Sequence, residues 1–438
     1  MPDPFAPLDW TETGAPRSTT FGDIYFSSQD GLAESRAVFL QGCGLPREWA
    51  ARSDFTVAEL GFGTGLNIAA LLYLWSRTAT SGARLHIFSV EAFPLRAEDA
   101  KRALAAWPEL GAAAEALLSA WPSPARGFHR LDLPGFNATL DLAVMEAEPA
   151  LRAWTGRADA WFLDGFAPAS NPDMWTEAVM ALVAQRSNPG ARAATFTVAG
   201  AVRRGLQAAG FEVDKQPGHG RKRERLEARL QGSPTSLRRP ASVAVIGAGI
   251  AGASVARALR AQGVEPVLIA DDSQAASGNP AALVAPGLDA SGRAAARLYA
   301  QAFARAVQLY RREPVVIGEG VWRRPRSERD RQRFAKVAAQ DIFAPGAIEV
   351  GEAGALLIRD GLVVEPAALI ERWLPTHRTT GAVTGLIRAD SGWRIELAGA
   401  EALEAEGVVI CAGWGSAALV DAGLSPIRGQ VSHMIALE

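Results

Sequence analysis

The sequence predicts an α/β chain of two Rossmann-type domains in tandem, and three observations predict it. Short apolar runs alternate with helically spaced apolar residues from Asp54 to Arg225, the pattern of a doubly wound sheet. A glycine turn joins strand to helix twice, at Gly61–Gly65 and at Gly247–Gly252. Between these halves, Gln231 to Pro240 reads as a polar, proline-bounded linker. At 438 residues the chain is too long for one ordinary core, and we divide it into 1–232, a linker at 233–241, and 242–438.

With 48% apolar and 21% charged residues the composition is that of a globular protein. No run approaches the apolar length of a bilayer span, and Met1 to Trp10 lacks a basic start followed by an apolar stretch, so we expect a cytoplasmic chain with no membrane partner. Cys43 and Cys411 stand far apart without a partner motif. They support neither a disulfide framework nor a metal site; no metal is expected, and both read as buried small residues. Nothing points to an obligatory protein partner.

Taken in order, the first twenty residues carry four prolines and should be extended. Phe21 to Phe26 reads as a short strand. Asp30 is placed to cap a helix with apolar residues at Leu32, Val38, Phe39 and Leu40, either a packing helix or a lid. Phe55 to Leu60 is a strand, followed by Gly61-Phe62-Gly63-Thr64-Gly65-Leu66-Asn67 and an apolar helix from Ile68 to Trp75. Glycines let backbone approach a ligand, and the helix N-terminus offers free N–H donors. With Glu59 in front, this resembles the E-x-G-x-G-x-G first motif of S-adenosylmethionine-dependent methyltransferases. Leu85 to Val90 forms a second strand ending in Glu91, placed to accept hydrogen bonds from ribose hydroxyls. Further strands fall at Leu140 to Val144, with Glu146 beyond, at Ala158 to Leu163, at Ala193 to Val198, and from Gly210 onward.

The fourth of these strands ends abruptly in Asp164-Gly165-Phe166-Ala167-Pro168. Ligands of open α/β sheets bind outside the carboxyl ends of the strands, which makes Asp164 the leading catalytic candidate. Asp-Gly is also a common turn pair, so a purely structural turn is the alternative. From Arg186 to Pro240 twelve basic residues stand against four acidic ones. Such a field suits a polyanion such as RNA, or else marks a solvated helix face.

In the second half, Ser242 to Ile246 leads into Gly247-Ala248-Gly249-Ile250-Ala251-Gly252, then a helix through Leu259 and a strand from Pro266 to Ala270. This is the full G-x-G-x-x-G fingerprint between strand and helix, where a dinucleotide pyrophosphate sits. The acid expected at the end of the second strand comes one position late, at Asp271.

Four stretches together, E-L-G-F-G-T-G-L-N (Glu59 to Asn67), W-F-L-D-G-F-A-P-A-S-N-P-D-M-W (Trp161 to Trp175), Ala194 to Phe211 and G-R-K-R-E (Gly220 to Glu224), resemble the bacterial bifunctional enzymes of 5-methylaminomethyl-2-thiouridine biosynthesis in tRNA. Ser277-Gly278-Asn279, Gly361 to Leu369, Val408 to Gly415 and Arg428-Gly429-Gln430 match the flavin half of that family. The resemblance implies a Rossmann-like S-adenosylmethionine methyltransferase sheet followed by a D-amino-acid-oxidase-like, Rossmann-type FAD domain. It implies S-adenosylmethionine on Glu59, Gly61, Phe62, Gly63, Gly65, Asn67, Glu91 and Glu146, and FAD on Gly247, Ala248, Gly249, Ile250, Gly252, Asp271, Ser277, Gly278 and Asn279. Asp164 and Phe166 would be catalytic, the aspartate orienting an amine and the ring stacking on uracil or simply packing. Arg203, Arg204, Arg221, Lys222 and Arg223 would contact tRNA phosphates. The family's flavin half continues past Arg-Gly-Gln, so the α+β substrate region is expected to be truncated here. Alternatives are a methyltransferase with an inert flavin remnant, a flavin amine oxidase with a nucleotide- or RNA-binding N-terminal domain, and a small-molecule methyltransferase.

Overall fold

In a computed structural model that describes residues 3–220, 222–233, 239–271, 276–375 and 378–425, the chain forms two compact units. The first comprises residues 1–237 with 339–345, and the second comprises residues 238–338 and 346–438.

Eight strands form the sheet of the first unit: β1 (Asp54–Leu60), β2 (Arg84–Glu91), β3 (Gly127–Leu133), β4 (Ala138–Val144), β5 (Ala158–Leu163), β6 (Ser187–Thr195), β7 (Phe211–Pro217) and β8 (Glu224–Leu230). Their order is β3-β4-β2-β1-β5-β6-β8-β7. The inner strands run parallel, whereas β3 pairs antiparallel with β4, and β8 pairs antiparallel with both β6 and β7. All six residues of β5 are buried, as expected of a parallel strand covered on both faces. Leu60 lies in register with Val90 on one side and with Leu163 on the other. Consequently Gly61, Glu91 and Asp164 emerge together from three adjacent strand ends, where the chain order reverses and a crevice opens. Large rings fix these strands from behind: Trp49 packs edge-on against Phe55 and Trp75, and Phe88 stacks on Trp154 at 4.3 Å.

Two expectations are corrected here. Residues 21–26 form no strand; only an isolated bridge joins Arg17 to Ile24. Gly22 turns the chain with φ +66°, and the Asp23 carboxylate accepts from the Ile24 amide, so local bonds replace a ladder. The edge strand β3 and the strand β8, which lies between β6 and β7, were not expected at all. The helix after Asp30 does form, with the carboxylate accepting from Ala33 N at 3.0 Å, and it continues after Gly31–Ser35 as a π-helical stretch, Arg36–Gln41. Leu32, Val38, Phe39 and Leu40 pack into the core. Helices α1 (Leu66–Thr78), α2 (Ala147–Ala153) and α3 (Gly200–Ala208) follow β1, β4 and β6.

The second unit has a parallel sheet of β9 (Val243–Ile246), β10 (Pro266–Ala270), β11 (Arg378–Thr380) and β12 (Gly407–Ile410), ordered β11-β10-β9-β12. Helix α4 (Ile250–Ala261) follows β9. An antiparallel sheet joins Ala282–Val284, Leu356–Val364 and Val316–Arg323, with Ile348–Val350 also on the middle strand. Residues 383–405 add a three-stranded antiparallel sheet. Arg428, Gly429 and Gln430 lie outside the described residues, as do five positions of the linker.

Candidate active site and flavin cradle

The carboxyl ends of β1, β2 and β5 open into a cavity of about 1040 Å³ in the first unit, room for a nucleoside-sized ligand and a second group beside it. Its floor is the glycine loop. Gly61, Gly63 and Gly65 all adopt left-handed φ, at +87°, +52° and +77°. A side chain on Gly61 would place its Cβ 2.9 Å from the backbone of Gly165, so the two strand-end loops touch through glycine alone. Gly63 and Phe62 line the cavity, whereas Gly65 caps α1 one step behind it.

Glu91 accepts from Gly63 N and from Phe93 N, each at 2.8 Å, and so clasps the loop while facing the cavity. Burial raises its carboxyl above the usual range, against the pull of those amides. Glu146 also lines the cavity, beside Met145, and pairs with Arg126 at 2.7 Å. Glu59 lies behind the loop rather than in the cavity lining. It is fully buried and accepts from Ser89 Oγ at 2.6 Å. Burial raises its pKa well above the ordinary value, against the hydrogen bond from Ser89, and it supports the loop from beneath.

Asp164 follows β5 directly. Asn67 in the first turn of α1 donates from Nδ2 to its Oδ2 at 2.7 Å, which ties the catalytic candidate to the cofactor loop. The carboxyl keeps a partial opening to the cavity, yet protein surrounds it. Burial is the dominant influence and pushes it up to about 7, opposed by Asn67, the Gly165 amide and Lys222. A carboxylate with that affinity exchanges protons near neutral pH.

Phe166 belongs to an aromatic wall that sequence reading missed. Its ring lies 4.9 Å from Phe21 and 5.1 Å from Tyr25, and Phe93 meets Phe21 edge-on. Asp23 donates nothing but accepts from Ala167 N at 2.9 Å, which pins the loop carrying Asp164 and Phe166. A short aspartate between two aromatics, F-G-D-I-Y-F, is the only local signal of this clamp.

The basic stretch separates into parts. Arg192 pairs with Glu48, Lys215 with Glu224 and Arg225 with Glu227, while Arg186 donates to carbonyls, so the local field is smaller than the residue count. Lys222 lines the cavity itself, bonded to Glu34 at 2.9 Å and lying 3.9 Å over the Phe196 ring. Arg204 and Arg223 are exposed, Arg203 is half-buried, and Arg221 lies outside the described residues.

In the second unit the fingerprint glycines have a steric reason. A Cβ on Gly247 would lie 2.4 Å from the Cys411 carbonyl oxygen, and one on Gly252 only 1.8 Å from that of Gly247. Gly249 caps α4, half-buried Ala248 completes the turn, and Ile250 N meets Ser277 Oγ at 3.1 Å. This close-packed strand, turn and helix fits a dinucleotide pyrophosphate. Asp271, Gly278 and Asn279 are exposed nearby in sequence rather than enclosed. Among the described residues there is no His, Cys, Asp and Glu cluster fit for a metal ion, and no helix long and apolar enough to cross a membrane.

Fold and sites thus define a methyltransferase-like unit joined to a flavin-oxidoreductase-like one, and comparison with known proteins agrees. Residues 108–231 match the family of S-adenosyl-L-methionine-dependent methyltransferases, and residues 242–437 match that of FAD dependent oxidoreductases. The tRNA 5-methylaminomethyl-2-thiouridine biosynthesis bifunctional protein MnmC of Caulobacter sp. strain K31 is 56% identical over 99% of this chain and 75% of its own length. Its counterpart in Caulobacter vibrioides is 55% identical over 98% and 75%, and that of Aeromonas hydrophila 37% over 98% and 72%. The chain belongs to the MnmC family.

Proposed function

We propose that the chain modifies the wobble uridine of tRNA in two steps, and that Asp164 governs the second. The first step removes the carboxymethyl group from 5-carboxymethylaminomethyl-(2-thio)uridine, leaving an aminomethyl group; the second methylates that amine. FAD supplies the oxidising capacity for the C–N bond and S-adenosylmethionine supplies the electrophilic methyl group. The protein aligns, orients and moves protons. The Gly61–Gly65 loop and Glu91 hold the cofactor's methionine and ribose side, and Glu146 the adenine side.

Methyl transfer to an amine needs a neutral nitrogen lone pair in line with the methyl carbon. A free alkyl amine resembles lysine and is mostly protonated at neutral pH. The Asp164 carboxylate orients the neutral nitrogen by accepting a hydrogen bond from its N–H and stabilises the positive charge it gains, while Asn67 fixes the carboxylate's direction. Phe166, held between Phe21 and Tyr25, offers a face to the uracil ring. The observation that carries this reading is the buried Asp164 carboxyl, tied by Asn67 to the glycine loop at one cavity. In the flavin unit, the turn at Gly247, Gly249 and Gly252 and the N-terminus of α4 would hold the pyrophosphate. The substrate places the chain in the cytoplasm, where tRNA is found.

The test is labelled methyl transfer from S-adenosylmethionine to tRNA bearing the aminomethyl group. Wild type should transfer one methyl per tRNA and Asp164→Asn should not. Transfer undiminished in the variant would remove the assignment of Asp164, and no transfer in wild type would remove the methyltransferase reading.

A further inference from the structure

We propose that the segment running from the end of the Val316–Arg323 strand through the Glu328–Ala338 helix is a second tRNA-binding surface, carried by the oxidoreductase unit and distinct from both cofactor sites. This rests on the reading of tRNA as substrate. Between residues 323 and 336 seven basic residues stand against two acidic ones, a density that neither fingerprint nor fold requires.

The two acids are already engaged within the helix, Glu328 with Arg331 and Asp330 with Arg333. Arg323, Arg324, Arg326, Arg329 and Lys336 are exposed, and among the described residues none of them forms an ion pair. Five such cations on one short stretch leave a local positive field that a phosphate backbone neutralises with release of its counterions. A solvated helix face would carry the same charges without an apolar companion.

That companion is Trp322, which is 61% exposed at the end of the strand. It pairs in register with Leu357, and one side of its ring rests on Gly351, where an added Cβ would meet it at 3.1 Å. Glycine beneath and open space beside it leave an indole available to an unpaired base. Trp322 directly precedes Arg323 and Arg324 in the chain, and an exposed aromatic beside basic residues is the means by which single-stranded nucleic acid is stacked and its phosphates are held. Phe334 and Val337 anchor the helix in the unit's core, so the cations are presented from a fixed element.

The experiment measures tRNA affinity of the full chain by filter binding across a salt series, for wild type, for Arg323→Gln/Arg324→Gln/Arg329→Gln, and for Trp322→Ala. The triple variant should bind about tenfold or more weakly and lose two to three units of slope in log K against log salt. Trp322→Ala should weaken binding about tenfold with the slope unchanged. Unchanged melting temperature and flavin content show that each variant is folded; should the triple variant not fold, Arg324→Gln alone carries the salt test. Wild-type affinity and slope in both variants would overturn the proposal while leaving the two-step reading intact. A wild type that does not bind tRNA at all would remove the reading on which the proposal rests.

Discussion

Asp164 combines two properties that oppose each other, burial and a required negative charge. Because the folded carboxyl holds its proton more tightly than the unfolded one, with a folded value of about 7 against an ordinary 3.8, the protein loses stability as pH rises between those values. Asp164→Asn should therefore raise the melting temperature at pH 8, by the equivalent of about 1–2 kcal/mol, while cutting methyl transfer by about 100-fold or more. A less stable variant that kept its activity would contradict this account. Methyl transfer should increase with pH through about 7 as the carboxylate forms. Asn67→Ala removes a hydrogen bond that favours the ionised form, so the midpoint of that limb should move to higher pH in a kcat/KM profile. Asp164 was legible in the sequence because an apolar run stops on it. Its bond to Asn67 was not, since that depends on the first turn of one helix meeting the end of a strand far along the chain.

Among the elements, the clearest contrast lies between the glycine loops and the segment at residues 20–28. The loops announce themselves because left-handed backbone and close approach demand glycine at fixed spacing, which is local chemistry. The aromatic wall is assembled by contacts distant in sequence, and the aromatic and β-branched residues of its Phe21 to Phe26 stretch read falsely as a strand. The β8 strand was missed for a related reason: only Leu226 and Ala228 of Glu224–Leu230 are buried, and Arg225 and Arg229 on either side of them read as part of a basic run. Asp23 offers the test of the wall's function. Asp23→Ala frees the Ala167 amide and loosens the loop, so kcat/KM for methyl transfer should fall about tenfold while affinity for S-adenosylmethionine, measured by calorimetry, is unchanged. Equal losses in both would mean that Asp23 merely supports the fold.

At the scale of the whole molecule, each unit has its own sheet, core and cradle, and the two chemistries should be separable by mutation. Gly252→Ala sets a Cβ against the Gly247 carbonyl, so the purified protein should lose most of its flavin absorbance yet still methylate tRNA that already carries the aminomethyl group. Loss of both activities would show that the units depend on one another. The division into halves was readable from two fingerprints and a polar stretch, because each fingerprint needs its own strand and helix. The surface around Trp322 was not, since exposure of an indole is decided by the neighbours that fail to cover it. The aromatic wall also bears on how the enzyme is dissected. The match to the methyltransferase family begins at residue 108, downstream of β1, β2 and the Phe21, Tyr25 and Phe93 rings of that wall. A fragment trimmed to that match would discard the middle of its own sheet, and one begun at β1 would leave the cavity missing a side; an autonomous methyltransferase has to keep the residues from Thr20 onward.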